Sequence, residues 1–433
     1  MYVIPDFGRR LLGSAMVLGA LAGAPASAQD VELTFAHFLA NKSTEAPNVA
    51  DAIARFREKH PEVELKEQIS GTDEYLTQFN VGAASGEVPD VFMMNGSDTT
   101  ALVAAGLVGA ITPEFTADPD WGGRTPDGMT FEFSRDGEVY GVPYGQIITH
   151  VIYWNKDIFA EAGYDSFPAT WEDFIGAIET FKEMGKTPIS LGNKGRWVVV
   201  DPLFGTLVAR ECGPDFVPQV HSGEANFTDE CHVAAIEDFK QLVDVGAFNE
   251  DANSLDNKQQ RDAYLNGDAA MFVEGSWALP GILDSGNQSL IDATGIALWP
   301  SIKGKDENAS LVTGGAGWSY ALAARLEGAE REAAIELLKE LSAVDYSRSR
   351  MEIGLLPAQN MAGVADDIEV QPLFAEFVSN VGDGTWQVVP IIPTNMPRSL
   401  LDVSGEALQD LMVGNKTPQE VAEAMQEDYD RSK

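Results

Sequence analysis

Val31-Glu32-Leu33-Thr34-Phe35, followed by Val49, Ile53 and Phe56 and then by Val63-Glu64-Leu65, is the stretch that decides the fold. The first run alternates apolar and polar residues with period two, which predicts a strand with one face on a core. The next three apolar residues fall on one face of a helix, and Pro61 stops that helix. A second alternating run then begins. Strand, helix and strand in immediate succession form the unit of α/β layers.

The same alternation continues along the chain. Pro89-Asp90-Val91-Phe92-Met93-Met94 reads as a buried strand, with Asn95-Gly96-Ser97-Asp98 as a polar loop at its carboxyl end. Thr170-Trp171-Glu172-Asp173 is a capping box, and Trp171, Phe174, Ile178 and Phe181 supply the apolar face of the helix it opens. Ile236, Phe239 and Leu242 mark another helix, closed by Gly246. Thr417-Pro418-Gln419-Glu420 caps a last one, with Val421 and Met425 as its stripe. No repeat or low-complexity linker interrupts the 433 residues, so two sizeable cores in close association are expected.

Residues 1–28 read differently. Arg9 and Arg10 precede an apolar stretch from Leu11 to about Ala24, and Ala26-Ser27-Ala28 fits an A-x-A cleavage site. The apolar run is shorter than the ~20 residues that span a bilayer. A cleaved secretory signal is therefore expected, with Gln29 first in the mature chain and a periplasmic location. No Cys follows the apolar run, so no lipid anchor is expected. The formal net charge of −38 is spread along the sequence. Such a surface repels nucleic acid and anionic lipid, which require basic patches; its plainest meaning is solubility. Cys212 and Cys231 are the only cysteines, and in an oxidising compartment an isolated pair forms a disulfide. His221 and His232 lie nearby, but the spacing fits no standard zinc pattern, and no metal or cofactor is expected.

Several motifs in fixed order carry a resemblance. They are Phe56-Arg57-Glu58-Lys59-His60-Pro61, Gly86-Glu87-Val88-Pro89-Asp90-Val91, and Gly137-Glu138-Val139-Tyr140-Gly141-Val142-Pro143-Tyr144. Then follow Tyr153-Trp154-Asn155-Lys156-Asp157-Ile158-Phe159 and Pro168-Ala169-Thr170-Trp171-Glu172-Asp173-Phe174. Gly267-Asp268-Ala269-Ala270-Met271 with Gly275-Ser276-Trp277, and Gly314-Gly315-Ala316-Gly317-Trp318, complete the series. In this the chain resembles the extracellular solute-binding proteins of bacterial ABC importers, in the sugar-binding branch that includes maltose-binding protein. The resemblance implies an α/β, two-lobed periplasmic-binding-protein fold, each lobe a mixed sheet flanked by helices, joined by hinge crossings. It implies an amino-terminal lobe of 30–144 plus 312–350 and a carboxyl-terminal lobe of 145–311 plus 351–433. It also implies a monomer that takes a sugar in the interlobe cleft and delivers it to the permease subunits of a membrane transporter.

A sugar offers patches of C–H bonds, which suit flat aromatic faces, and a rim of hydroxyls, which suits carboxylates and amides. Trp277 and Trp318, each beside glycines, are the first candidates for stacking, and Trp197, after Gly192-Asn193-Lys194-Gly195-Arg196, is the third. For each, the plainer alternative is a core residue; Trp171, on the apolar face of its helix, is read as core. His37 and Asn41 occupy the first ligand loop that the resemblance implies, and Asn95, Ser97 and Asp98 the second. Asp98 is read either as a clamp for vicinal hydroxyls or as a cap for the next helix. Tyr144 and Gln146 sit at the first lobe crossing, and Tyr75 opens a helix with its own core to fill. Ligand positions of maltose-binding protein are widely changed, so maltose itself is not carried over.

Two other readings stand beside this one. The same fold with a polyamine or a glycerol phosphate as ligand would use acidic and aromatic residues, or Arg196 and Arg398. A secreted glycosidase needs a carboxyl pair at a set separation, which 67 acidic residues provide by chance. No Gly-x-Ser-x-Gly, His-Glu-x-x-His or phosphate-loop motif is present, and an enzyme is not expected.

Overall fold

The computed structural model describes residues 31–363 and 365–432. The signal sequence read at 1–28 lies outside them. Along the chain run the strands β1 (Val31–His37), β2 (Val63–Ile69), β3 (Val91–Asn95), β4 (Val142–Pro143), β5 (Ile147–Ile148), β6 (Val151–Asn155) and β7 (Thr187–Ser190). They continue as β8 (Ala269–Glu274), β9 (Thr294–Ala297), β10 (Leu311–Gly315), β11 (Trp318–Leu322) and β12 (Gln387–Pro390). The helices used below are α1 (Ala46–Lys59), α2 (Thr72–Ala84), α3 (Trp171–Glu183), α4 (Gly205–Cys212), α5 (Glu230–Asp244) and α6 (Asn257–Leu265). After them come α7 (Gly328–Leu341), α8 (Val344–Glu352), α9 (Arg398–Met412) and α10 (Pro418–Ser432). No helix among the described residues is long and apolar enough to cross a membrane.

The strands form two lobes. The amino-terminal sheet has the order β2-β1-β3-β11-β4, with β1 parallel to β2 and β3, and β11 antiparallel to β3. Period-two alternation turns Leu33 and Phe35 inward, and Val49, Ile53 and Phe56 of α1 meet them in one core with α7. The carboxyl-terminal sheet has the order β9-β6-β8-β7 and is covered on both faces. Ile152 and Val273 enter one core with α3, α5, α9 and α10, while Val151, Tyr153 and Phe272 enter the other with Tyr264 of α6. Both expected caps form: Thr170 accepts from the Asp173 amide, and Thr417 and Glu420 bond each other's amides at the start of α10.

A third sheet, β12-β10-β5, joins the lobes. The chain passes between them at β4–β6 and at β10–β11. It crosses again after α8, where the Gln146 N–H donates to Leu356 O at 3.3 Å. Leu356 packs with the carboxyl-terminal core, whereas Ala358 packs with the amino-terminal one. The fold is thus α/β and two-lobed, with mixed sheets between helices.

Cys212 ends α4 and Cys231 lies in α5, and they form a disulfide with Cα atoms 5.0 Å apart. Both thiols are consumed, which removes them as metal ligands. His232 is buried among Phe204, Phe216 and Phe227, and burial pushes its pKa down to about 4.

Candidate functional site

Loops at strand carboxyl ends converge where the two lobes face each other, the usual location of a ligand crevice in such sheets. On the amino-terminal side, β1 runs out at Phe38, whose ring meets Trp318 edge-on at 4.9 Å and Tyr75 at 5.6 Å. Trp318 opens β11 opposite Asn95 of β3, and its indole is half-buried. Tyr75 supports this cluster from beneath: it is 3% exposed and its hydroxyl donates to Met93 O at 2.5 Å. Lys42 holds its ammonium 4.9 Å above the Phe38 ring and pairs with Glu45 at 3.0 Å. Asn41 is exposed beside Gly71, where a Cβ would come 3.3 Å from its side-chain nitrogen.

The remaining sequence candidates on this side are placed unequally. Asn95 accepts from the Ser97 amide at 3.1 Å and from the Ser97 hydroxyl at 2.7 Å, so these two buried side chains engage each other. Asp98 precedes the helix Thr99–Ala104 but makes no capping bond, so the cap reading of this residue is not what the fold uses. Burial pushes its pKa up to about 6, Arg398 of the other lobe opposes that rise, and Asp402 adds to it. His37 is fully buried, stacked on Phe35 at 4.4 Å and 3.5 Å from Glu67, and burial lowers its pKa. Tyr144 is buried at the first crossing, with its N–H on Trp318 O at 3.3 Å and its ring 4.5 Å from the Arg350 guanidinium. Gln146 is half-buried next to it.

The carboxyl-terminal side presents a second aromatic group. The Trp197 and Trp277 rings stand 6.0 Å apart with their planes at 56°, both half-buried. The Trp277 ring lies across Gly275, where a Cβ would sit 2.0 Å from it, so only glycine permits this placement. The Trp277 indole N–H donates to Glu274 Oε1 at 2.9 Å, and Asn257 Nδ2 donates to the same oxygen at 2.7 Å. The Trp197 loop rests on α9, where Gly405 leaves room for Arg196, itself at a φ of 66°. Across the cleft, a Cβ at Gly195 would lie 3.7 Å from Asp73 Oδ1 of α2, so loops of the two lobes meet there. Trp171 is buried in its core and bonds Gln241 at 2.8 Å.

Buried charged groups lie near the crossings, and one of them, Glu132, bonds a residue of the other lobe. Arg350 pairs with Glu45 at 3.3 Å and packs over Gly145, where a Cβ would sit 2.3 Å from Nη2. Glu132 accepts from the Gly317 amide at 2.6 Å and from the Thr394 hydroxyl at 3.1 Å, and burial pushes its pKa up to about 7. Asp201, 3.8 Å from His150, is raised to about 7 by burial, with Glu132 adding to the rise. Motif reading passed over Glu132, Glu274 and Arg350. The one available signal was position, since Glu274 stands between Gly267–Met271 and Gly275-Ser276-Trp277. An apolar cavity lined by Phe204, Phe227, His232, Met396, Leu400 and Met425 belongs to the helix packing of the carboxyl-terminal lobe, away from both tryptophan groups.

The bacterial extracellular solute-binding protein family matches residues 41–346, and the chain belongs to that family. An uncharacterized ABC transporter extracellular-binding protein of Pyrococcus horikoshii is 26% identical over 234 residues, 53% of this chain and 52% of that protein. The sn-glycerol-3-phosphate-binding periplasmic protein of Brucella abortus is 24% identical over 339 residues, 72% of each chain. The chain thus spans about half the length of the first relative and 72% of the second. A chitin oligosaccharide binding protein has the same fold, with a TM-score of 0.84, 24% identity, and coverage of 93% of this chain and 98% of its own.

Proposed function

We propose that the protein is the substrate-binding component of an ABC importer and captures a sugar between its lobes. One observation carries this reading: each lobe holds a half-buried tryptophan group, Trp318 with Phe38 in one and Trp197 with Trp277 in the other. Flat rings on two sides suit the C–H faces of a pyranose. Asp98, Asn41 and Gln146 supply acceptors and donors for its hydroxyls. His37, Tyr75, Asn95, Ser97 and Tyr144 hold these walls in place from behind. Chitin oligosaccharide as ligand of a structural relative agrees with the reading.

In this account, residues 30–144 plus 312–350 and 145–311 plus 351–433 are the two moving bodies, bridged near Ala358. The chain is exported, cleaved after Ala28, and works as a periplasmic monomer. Ligand contacts available only when the lobes are closed drive hinge closure. The closed face docks on the permease, whose ATPase supplies the work. The protein performs no chemistry on its cargo.

A second reading has its own observation. Arg398 Nε is buried at the cleft with no hydrogen-bond partner among the described residues, which suits a phosphate ester such as the ligand of the Brucella relative. A thermal-shift screen of saccharides, polyols, polyamines and sn-glycerol 3-phosphate separates the two. Saturation at a hundred times Kd stabilises by about 2.7 kcal/mol, enough to read in any melt. A rise with saccharides supports the sugar reading, and a rise with only the phosphate ester or a polyamine refutes it.

A further inference from the structure

Glu274 ends β8 with no exposed surface and is bonded to Trp277 of the tryptophan pair. Its two oxygens are treated unequally. Oε1 accepts both the Trp277 indole N–H and the Asn257 amide, which fixes the carboxylate and the Trp277 ring together. Oε2 is buried and has no donor among the described residues. Leaving a carboxylate oxygen without a donor in a dry place is costly, and natural proteins seldom accept that cost without a use for the atom. The Tyr153 hydroxyl is committed to Gly275 O at 3.1 Å. Oε2 shares its carboxylate carbon with Oε1, the oxygen that accepts from the Trp277 indole N–H.

We infer that Glu274 determines specificity: its Oε2 takes a hydroxyl or amine proton of the sugar ring stacked on Trp277. This deepens the proposed sugar reading and rests on it. A site built around such an acceptor selects strongly against ligands lacking the donor, because the buried oxygen is then left unpaired. The ligand class is a saccharide with a free hydroxyl or amino group at the ring edge next to its stacked face. Sugars blocked there by methylation are excluded.

Glu274→Gln isolates the free oxygen. The amide oxygen still accepts from Trp277 and Asn257, while the free acceptor becomes an N–H donor. Wild type and variant are titrated calorimetrically with maltotriose, cellotriose, xylotriose and chitotriose, and each apo form is melted. The expected result is an apo melting point within about two degrees of wild type and a Kd at least tenfold weaker for the trisaccharide that wild type binds. Glu274→Ala, which also frees Trp277, should lose more affinity and change the tryptophan emission of the apo form. Equal affinity of wild type and the Gln variant overturns the role of Glu274 while leaving the sugar reading intact. A lower apo melting point with unchanged affinity shows a structural carboxylate only and also overturns it. A wild type that responds to no saccharide, these four and those of the thermal-shift screen included, overturns the sugar reading, and this inference with it.

Discussion

The indoles of Trp197 and Trp277, from loops after β7 and β8, meet at 6.0 Å with their planes at 56° and form a corner that neither loop could build alone. The corner is half-buried and fixed on one side by the bond from Trp277 to Glu274. Its removal should therefore affect ligand more than fold. Trp277→Ala and Trp197→Ala should each weaken saccharide binding by at least about tenfold, about 1.4 kcal/mol. Trp318→Ala should do the same from the other lobe. Calorimetric titration gives the affinities. Losses confined to the melting point would place these rings in the cores.

Tyr75 offers the opposite case. Its ring is buried under Trp318 and its hydroxyl is spent on Met93 O. Tyr75→Phe should cost about 1–3 kcal/mol of stability, because Met93 O is left unpaired. Saccharide affinity should stay within about twofold. Denaturant unfolding beside titration checks both, and a large affinity loss at unchanged stability would make the hydroxyl a ligand contact.

Gly145 is held without a side chain by Arg350, which stacks on Tyr144 and pairs with Glu45. Gly145→Ala would push the guanidinium off both partners. Breaking a buried pair typically costs about 3–5 kcal/mol. A melting point lowered by many degrees is expected, with Arg350→Met less damaging than Arg350→Ala because it fills the space. An unperturbed Gly145→Ala would show that the guanidinium has room to move aside.

Glu132 and Asp201 make stability depend on pH. Burial lifts Glu132 from an ordinary 4.5 to about 7, so the fold favours its neutral form. Its contribution is fully present below about 4.5 and is lost as pH rises through about 7, an effect of about 3 kcal/mol at most. Asp201 acts in the same direction, from 3.8 to about 7. Glu132→Gln keeps the neutral shape at every pH. It should melt like wild type at pH 4 and above wild type at pH 8, with Asp201→Asn removing the remaining slope. Parallel pH profiles for wild type and variant would contradict this origin of the slope.

The fold was legible where its signals are local. The alternation of Val31–Phe35, the helical spacing of Val49, Ile53 and Phe56, and the caps at Thr170 and Thr417 depend on neighbours a few residues away, and each became the expected element. The pairing of Cys212 with Cys231 was legible because no other partner exists. The site was less legible because facing a cleft depends on crossings far apart in sequence. Asp98 stands at the start of its helix without capping it, and Phe35 covers His37, neither of which periodicity reports. Glu274, Glu132 and Arg350 are charged residues in an acidic chain, and only burial distinguishes them from the solvated majority.

The central claim is that a sugar lies between two tryptophan-bearing walls. A crystal structure with the saccharide that most raises the melting point tests it most directly. The account predicts a pyranose ring against Trp277 or Trp318, with at least one hydroxyl within hydrogen-bond distance of Glu274 or Asp98. A saccharide bound outside the interlobe cleft, or a cleft that accepts only a phosphate ester on Arg398, would contradict it.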